Sequence, residues 1–164
     1  MGVKITTVKN FFPQTEKSLK ALNGKKVQVG VFGGEQAWLA GIHEYGVNIK
    51  VTDKMRKFLN ANGLHLKKST TVIHIPERSF LRSGYDESID EVIKEAERLL
   101  SLQNIDSDKI LDNIGRRLAE AIKDYAVELS EPPKHPFTLE MEGNKSNPLV
   151  NTGEMINSIS YRVE

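Results

Sequence analysis

The chain has 164 residues, 38% of them hydrophobic and 27% charged, which fits one globular domain over 1–164 able to bury a single core. Its 23 basic and 22 acidic side chains leave a formal net charge of +1, too small for a global field that steers a protein onto nucleic acid or an anionic membrane. Cysteine is absent, which excludes disulfides and thiolate chemistry; with no apolar signal region and no apolar run near the ~20 residues of a membrane span, a soluble protein without a membrane partner is expected.

Val3, Ile5 and Thr7 alternate with Lys4 and Thr6, predicting a first strand, and Pro13 followed by QTEKSLKAL predicts a helix closed by Asn23 and Gly24. In KKVQVGVF the residues Val27, Val29 and Val31 share one face, the period of two expected of a half-buried strand. EQAWLAGIHEYG reads as a short helix whose apolar stripe is Trp38, Ile42 and Tyr45. Gly46 is expected to cap it in a left-handed conformation, and Ala40 and Gly41 to let its backbone approach the sheet.

The pattern weakens over 47–69, which is expected to be a long loop in which Asp53 caps a turn of helix holding Met55, Phe58 and Leu59, ended by Asn62 and Gly63. TTVIHIP returns to period two and stops at Pro76, which has no N–H to donate. Two amphipathic helices follow. Ile89, Val92, Ile93, Ala96, Leu99 and Leu100 form one stripe, and Ile110, Leu111, Ile114, Leu118, Ile122, Tyr125 and Leu129 another, on a long helix near 106–130 started by Asp106 and stopped by Pro132. Gly115 inside it costs about 1 kcal/mol relative to alanine and so predicts close packing or a bend. The Pro- and Gly-rich stretch 131–148 reads as a second long loop. At the end of the chain Asn151 is expected to cap a short helix, with Glu154 reaching back and Val150 stapling against Met155; Ile159, Tyr161 and Val163 then alternate as a final strand. The fold expected is α+β: a small antiparallel sheet from the Val3, Val27, Thr71 and Tyr161 regions, packed by amphipathic helices.

Few residues point to chemistry. His43 and Glu44 in HEYG raise a metal-dependent hydrolase as an alternative, but a zinc-peptidase helix needs a second histidine four residues on, where Val47 stands. GVFGGE lies where a phosphate-binding turn would lie yet lacks both the dinucleotide and the P-loop spacing, so it reads as a tight turn. The carboxylates of DESIDEVIKEAE read as a solvated helix face, and the basic pairs Lys67–Lys68 and Arg116–Arg117 lack interleaved aromatics for a nucleic-acid surface. In IPERSFLR, Pro76 ends a strand and Arg78 and Arg82 flank Phe80 and Leu81; this is either a connection that buries Phe80 or a contact patch, since aromatic and arginine residues dominate interface hot spots. No catalytic residue, metal or cofactor is expected.

The ordered series VQVGVFGG, AWLAGIHEYG, IPERSFLR, the long amphipathic helix and NPLVNTGEMINSISYRV resembles the tail-completion, or neck, proteins of tailed bacteriophages and prophages, the phage virion morphogenesis family. The resemblance runs over nearly the whole chain. It implies a structural virion protein, not an enzyme, that assembles with itself as a ring of six subunits in the head–tail connector. Its implied partners are a portal-side connector protein and a tail terminator or tail tube protein, with DNA passing through the ring without sequence-specific binding. The alternative within this class is the tail terminator ring itself. The implied location is the virion neck, and the bacterial host cytoplasm during assembly. The motif positions are His43, Glu44, Tyr45, Gly46, Pro76, Arg78, Phe80, Arg82, Leu149, Asn151, Thr152 and Gly153; where the family carries aspartate, this chain has Asn151. A ring closes only if each subunit offers two different complementary faces, which the stretches 47–69 and 131–148 are expected to supply.

Overall fold

A computed structural model describes residues 22–101 and 106–164, together with the helical positions Glu16 and Lys20. The strand expected at Val3–Thr7 lies outside the described residues, as does most of the helix expected after Pro13. The α+β class holds: short antiparallel strands are packed by amphipathic helices. In chain order the elements are β1 (Val27–Val31), α1 (Gly34–Tyr45), β2 (Val47–Lys50), α2 (Asp53–Ala61), β3 (Val72–Ile75), α3 (Phe80–Ser101), α4 (Ser107–Glu128), α5 (Pro136–Met141), α6 (Glu154–Asn157) and β4 (Ile159–Val163).

Among the described residues the strands form two separate antiparallel pairs where a single sheet was expected. β1 pairs with β4, setting Val29 opposite Tyr161 and Val31 opposite Ile159, so the final strand does belong to the core. The Thr71 region joins neither: β3 pairs with β2, with Val47 opposite Ile75 and Ile49 opposite Ile73. The stretch 47–69 is therefore not a loop. Its strand β2 alternates over only four residues directly after a helix, too short a run for periodicity to mark. Its helix α2 is capped by Thr52 and not by Asp53, which is its first helical residue; the Thr52 hydroxyl accepts from the Met55 N–H at 3.2 Å. Arg56 donates to the carbonyls of Leu66, Lys67 and Thr70, closing the returning chain onto α2. The lobe from β2 to β3 is thus tied up internally, and among the described residues its elements touch the others only sparsely.

The main body is an antiparallel α3–α4 pair with β1–β4 against it. The two helices run in opposite directions, since Gly84 near the start of α3 meets Ile122 near the end of α4, while Glu95 faces Arg117. α3 begins at Phe80, nine residues before the stripe legible in the sequence, and Phe80 is fully buried. α4 starts at the Asp106 cap, whose carboxylate accepts from the Asp108 N–H at 3.1 Å, and its stripe of Ile110, Leu111, Leu118 and Ile122 is buried. Phe80, Ala119, Ile122 and Ala126 meet Ala40, Leu149, Met155, Ile156 and Ile159 in one core. Gly115 is there for close approach: a Cβ on it would sit 2.3 Å from Cδ2 of Tyr161, whose ring crosses α4 at that point.

Four further expectations fail locally. On α1 the buried positions are Ala40 and Glu44, while Trp38 and Tyr45 are exposed, so the stripe of aromatics faces outward. A charged residue holds the inward position because its carboxylate is used there, which inverts the pattern a hydrophobic period detects. Gly41 does not bring α1 close to anything, since a Cβ on it meets nothing within 4 Å. Asn151 does not cap α6: Gly153 is the cap residue, the Thr152 hydroxyl accepts from the Glu154 N–H at 3.3 Å, and the Asn151 carbonyl accepts instead from Lys145. The stretch 131–148 is interrupted by α5, which starts at a proline after His135, whose Nδ1 accepts from the Phe137 N–H.

Candidate functional site

The residues singled out in HEYG and IPERSFLR come together, because the end of α1 abuts the start of α3. Glu44, only 2% exposed, supplies what the first turn of α3 lacks: acceptors for its N–H groups. Its Oε2 accepts from the Leu81 N–H at 2.8 Å and its Oε1 from the Arg82 N–H at 3.1 Å. The carboxylate also faces the positive end of the α3 dipole. Arg82 completes the clasp, donating from Nε to Glu44 Oε1 at 2.8 Å and from Nη2 to the Glu44 carbonyl and to Glu77, while its guanidinium lies 4.9 Å from the centre of the Tyr45 ring.

His43 and Arg78 form a second junction beside the first. The Arg78 N–H donates to the His43 carbonyl at 2.8 Å, and Nη1 donates to His43 Nδ1 at 3.0 Å. A guanidinium has no acceptor, so Nδ1 must carry the lone pair and His43 is the neutral Nε2–H tautomer. Arg78 is itself buried, with Nε and Nη2 donating to the carbonyls of Pro132 and Pro133. Burial lowers its pKa from the ordinary arginine value. For His43, burial first and the Arg78 charge second hold the imidazole down at about 4, with Lys134 acting in the same direction and Glu142 opposing.

That shift fixes a pH dependence. Between pH 6.5 and about 4 the unfolded chain takes up a proton that folded His43 refuses, so stability falls as pH falls through this window. The loss should reach about 2 kcal/mol after allowance for solvent screening of a partly open ring. Urea midpoints at pH 7.5 and 4.5 read it, and His43→Gln should lose that much less than wild type across the same interval. Parallel losses in both proteins would refute the assignment.

The third motif closes the same region. Leu149 is buried in the core, and Pro76, Asn151, Thr152 and Gly153 join His43 and Arg78 in lining a cavity of about 690 Å³. Two residues here carry no signal in the sequence. Lys134 is buried and donates to Glu142 and to the Val150 carbonyl, and Asn147 ties the end of α4 by donating to the Ala126 and Val127 carbonyls. Lys134 follows two prolines in a stretch with no periodicity, so nothing local marks it as buried.

The His43–Glu44 pair is thus engaged in structure: one nitrogen of the ring and both carboxylate oxygens have donors. Among the described residues no group of three or more His, Cys, Asp or Glu side chains converges as a metal site would require. Of the motif residues, Glu44, Arg78, Phe80 and Leu149 are buried, whereas Tyr45 and Arg82 lie at the surface. No helix among the described residues is long and apolar enough to cross a membrane. Comparison with protein-family models, with curated proteins and with solved structures finds no match.

Proposed function

We propose that the chain is a structural subunit of a phage or prophage virion, closing with copies of itself into a ring that joins or completes the head–tail connector. The observation that carries this reading is the outward aromatic pair on α1: Trp38 is 68% and Tyr45 67% exposed, seven positions apart and so on one helical face. Large exposed aromatics beside an arginine are what interface hot spots are made of, and Tyr45 already stacks with Arg82. A ring subunit needs a second, different face. The lobe from β2 to β3 offers one, with Phe58 and Val72 exposed on a unit that stands apart from the core. The motif series gives the virion context, with a portal-side connector protein and a tail terminator or tube protein as neighbours. The near-neutral charge suits a ring through which DNA slides, because each phosphate contact adds salt-dependent grip.

Light scattering of the purified chain over a concentration series tests the reading. A closed oligomer should appear, and Trp38→Ala should weaken its formation at least tenfold, the loss expected of a hot-spot aromatic. The melting temperature of the monomer should stay within about 2 °C, because a surface truncation removes no core contact. A chain that remains monomeric at every concentration, alone and with phage procapsids, would defeat the proposal.

A further inference from the structure

The cavity between α1, β3, α5 and the segment before α6 holds a charge imbalance. Lys134 is paired with Glu142, whose carboxylate it meets directly, so that pair is close to neutral. Arg78 is 7% exposed, and its hydrogen bonds go to two carbonyls and a neutral imidazole. It has no carboxylate partner among the described residues, and one N–H on each of its Nη atoms is left without an acceptor there. A buried guanidinium is ordinarily matched by an anion, and its planar fork matches a carboxylate best. The remaining walls are largely apolar, with Leu39, Ile75 and Met155 among them. At about 690 Å³ the space lies within the range of sites that enclose small ligands.

We propose that this cavity binds a carboxylate carried on a short apolar stem, with the Arg78 guanidinium as its counter-ion. Two sources share that chemistry: a glutamate side chain on a partner's peptide segment, and a free aliphatic acid. The inference does not depend on the ring reading, since a monomer would have the same cavity. His43 serves the site by staying uncharged: its Nδ1 holds one arm of the guanidinium without neutralising it.

Nuclear magnetic resonance titration of the full chain tests this with four probes: hexanoate and hexanamide, and the capped tripeptides acetyl-Leu-Glu-Leu-amide and acetyl-Leu-Gln-Leu-amide. At least one acid should move the amide resonances of His43, Thr138 and Leu149, and bind about tenfold or more tightly than its neutral counterpart. Saturation by the tripeptide alone assigns the site to a partner segment, by hexanoate alone to a small acid, and by both to the shared chemistry. Arg78→Lys keeps the charge but not the fork and should weaken binding about tenfold. Because Arg78 also supports the fold, Thr138→Trp provides the second variant: it fills the cavity from α5, replaces none of the groups that hold the guanidinium, and should abolish binding. Equal binding of acid and amide, absence of binding by both acids, or unchanged affinity in the Thr138 variant would each overturn the proposal.

Discussion

Glu44→Ala should destabilise the protein by about 2–4 kcal/mol, the cost expected when two helix N–H groups lose a buried acceptor, at about 1–3 kcal/mol each. The size follows from what is left behind. The Leu81 and Arg82 N–H groups at the start of α3 would lose their acceptors, and Arg82 Nε would lose its carboxylate. For a domain of this length such a loss corresponds to a fall in melting temperature of about 10 °C. Glu44→Gln keeps the volume and one acceptor, and should cost about 2 kcal/mol. Urea denaturation of the two variants measures both. If alanine cost no more than about 0.5 kcal/mol, a typical surface value, the carboxylate would not be the clasp described.

Gly46→Ala is expected to cost about 3 kcal/mol or more. Gly46 sits at φ 66° and ψ 169°, a backbone region that only glycine enters easily. A Cβ there would stand 2.7 Å from the Glu77 nitrogen and 2.8 Å from the Ile75 carbonyl oxygen. Both obstacles are backbone, at the end of β3, and cannot swing aside. Strain and overpacking each contribute about 1–3 kcal/mol. Gly41→Ala is the matched control with the opposite sign: within α1 and with nothing in the way of a Cβ, it should stabilise by about 0.5–1 kcal/mol. Thermal melts of the pair decide it, and a Gly46→Ala protein that melts with wild type would show that the turn can relax.

The two variants also mark what the sequence made legible. Regular periods were readable where burial follows hydrophobicity: Ile110 to Ile122 on α4, Val27 to Val31 on β1, and the last strand all stand where their spacing puts them. Reading failed where a polar group performs an inward task. Glu44 occupies the core-facing position of α1, so the aromatics that define the apparent stripe point to solvent instead. It failed again where a turn is made by backbone conformation: Gly153 starts α6 although Asn151 looks the better cap. The short strand β2 carries too few residues for a period, and its partner is a strand more than twenty residues on, a pairing set by tertiary closure. The candidate site was legible as a set of motifs but not as a site, because the clasp of His43 and Glu44 with Arg78, Leu81 and Arg82 exists only once α1 and α3 abut.

The internal ties of the lobe from β2 to β3 bear on its dynamics. Arg56 and the strand pairing hold it together from within, and among the described residues its elements lie close to few positions of the α3–α4 body. Units of that kind open subglobally, at a free energy below that of the whole molecule. The lobe can therefore tilt, or melt and re-form, while the clasp and the core stay intact. Substitutions on the exposed face of α2 can therefore adjust the lobe's reach without touching the core or the cavity that β3 helps to wall.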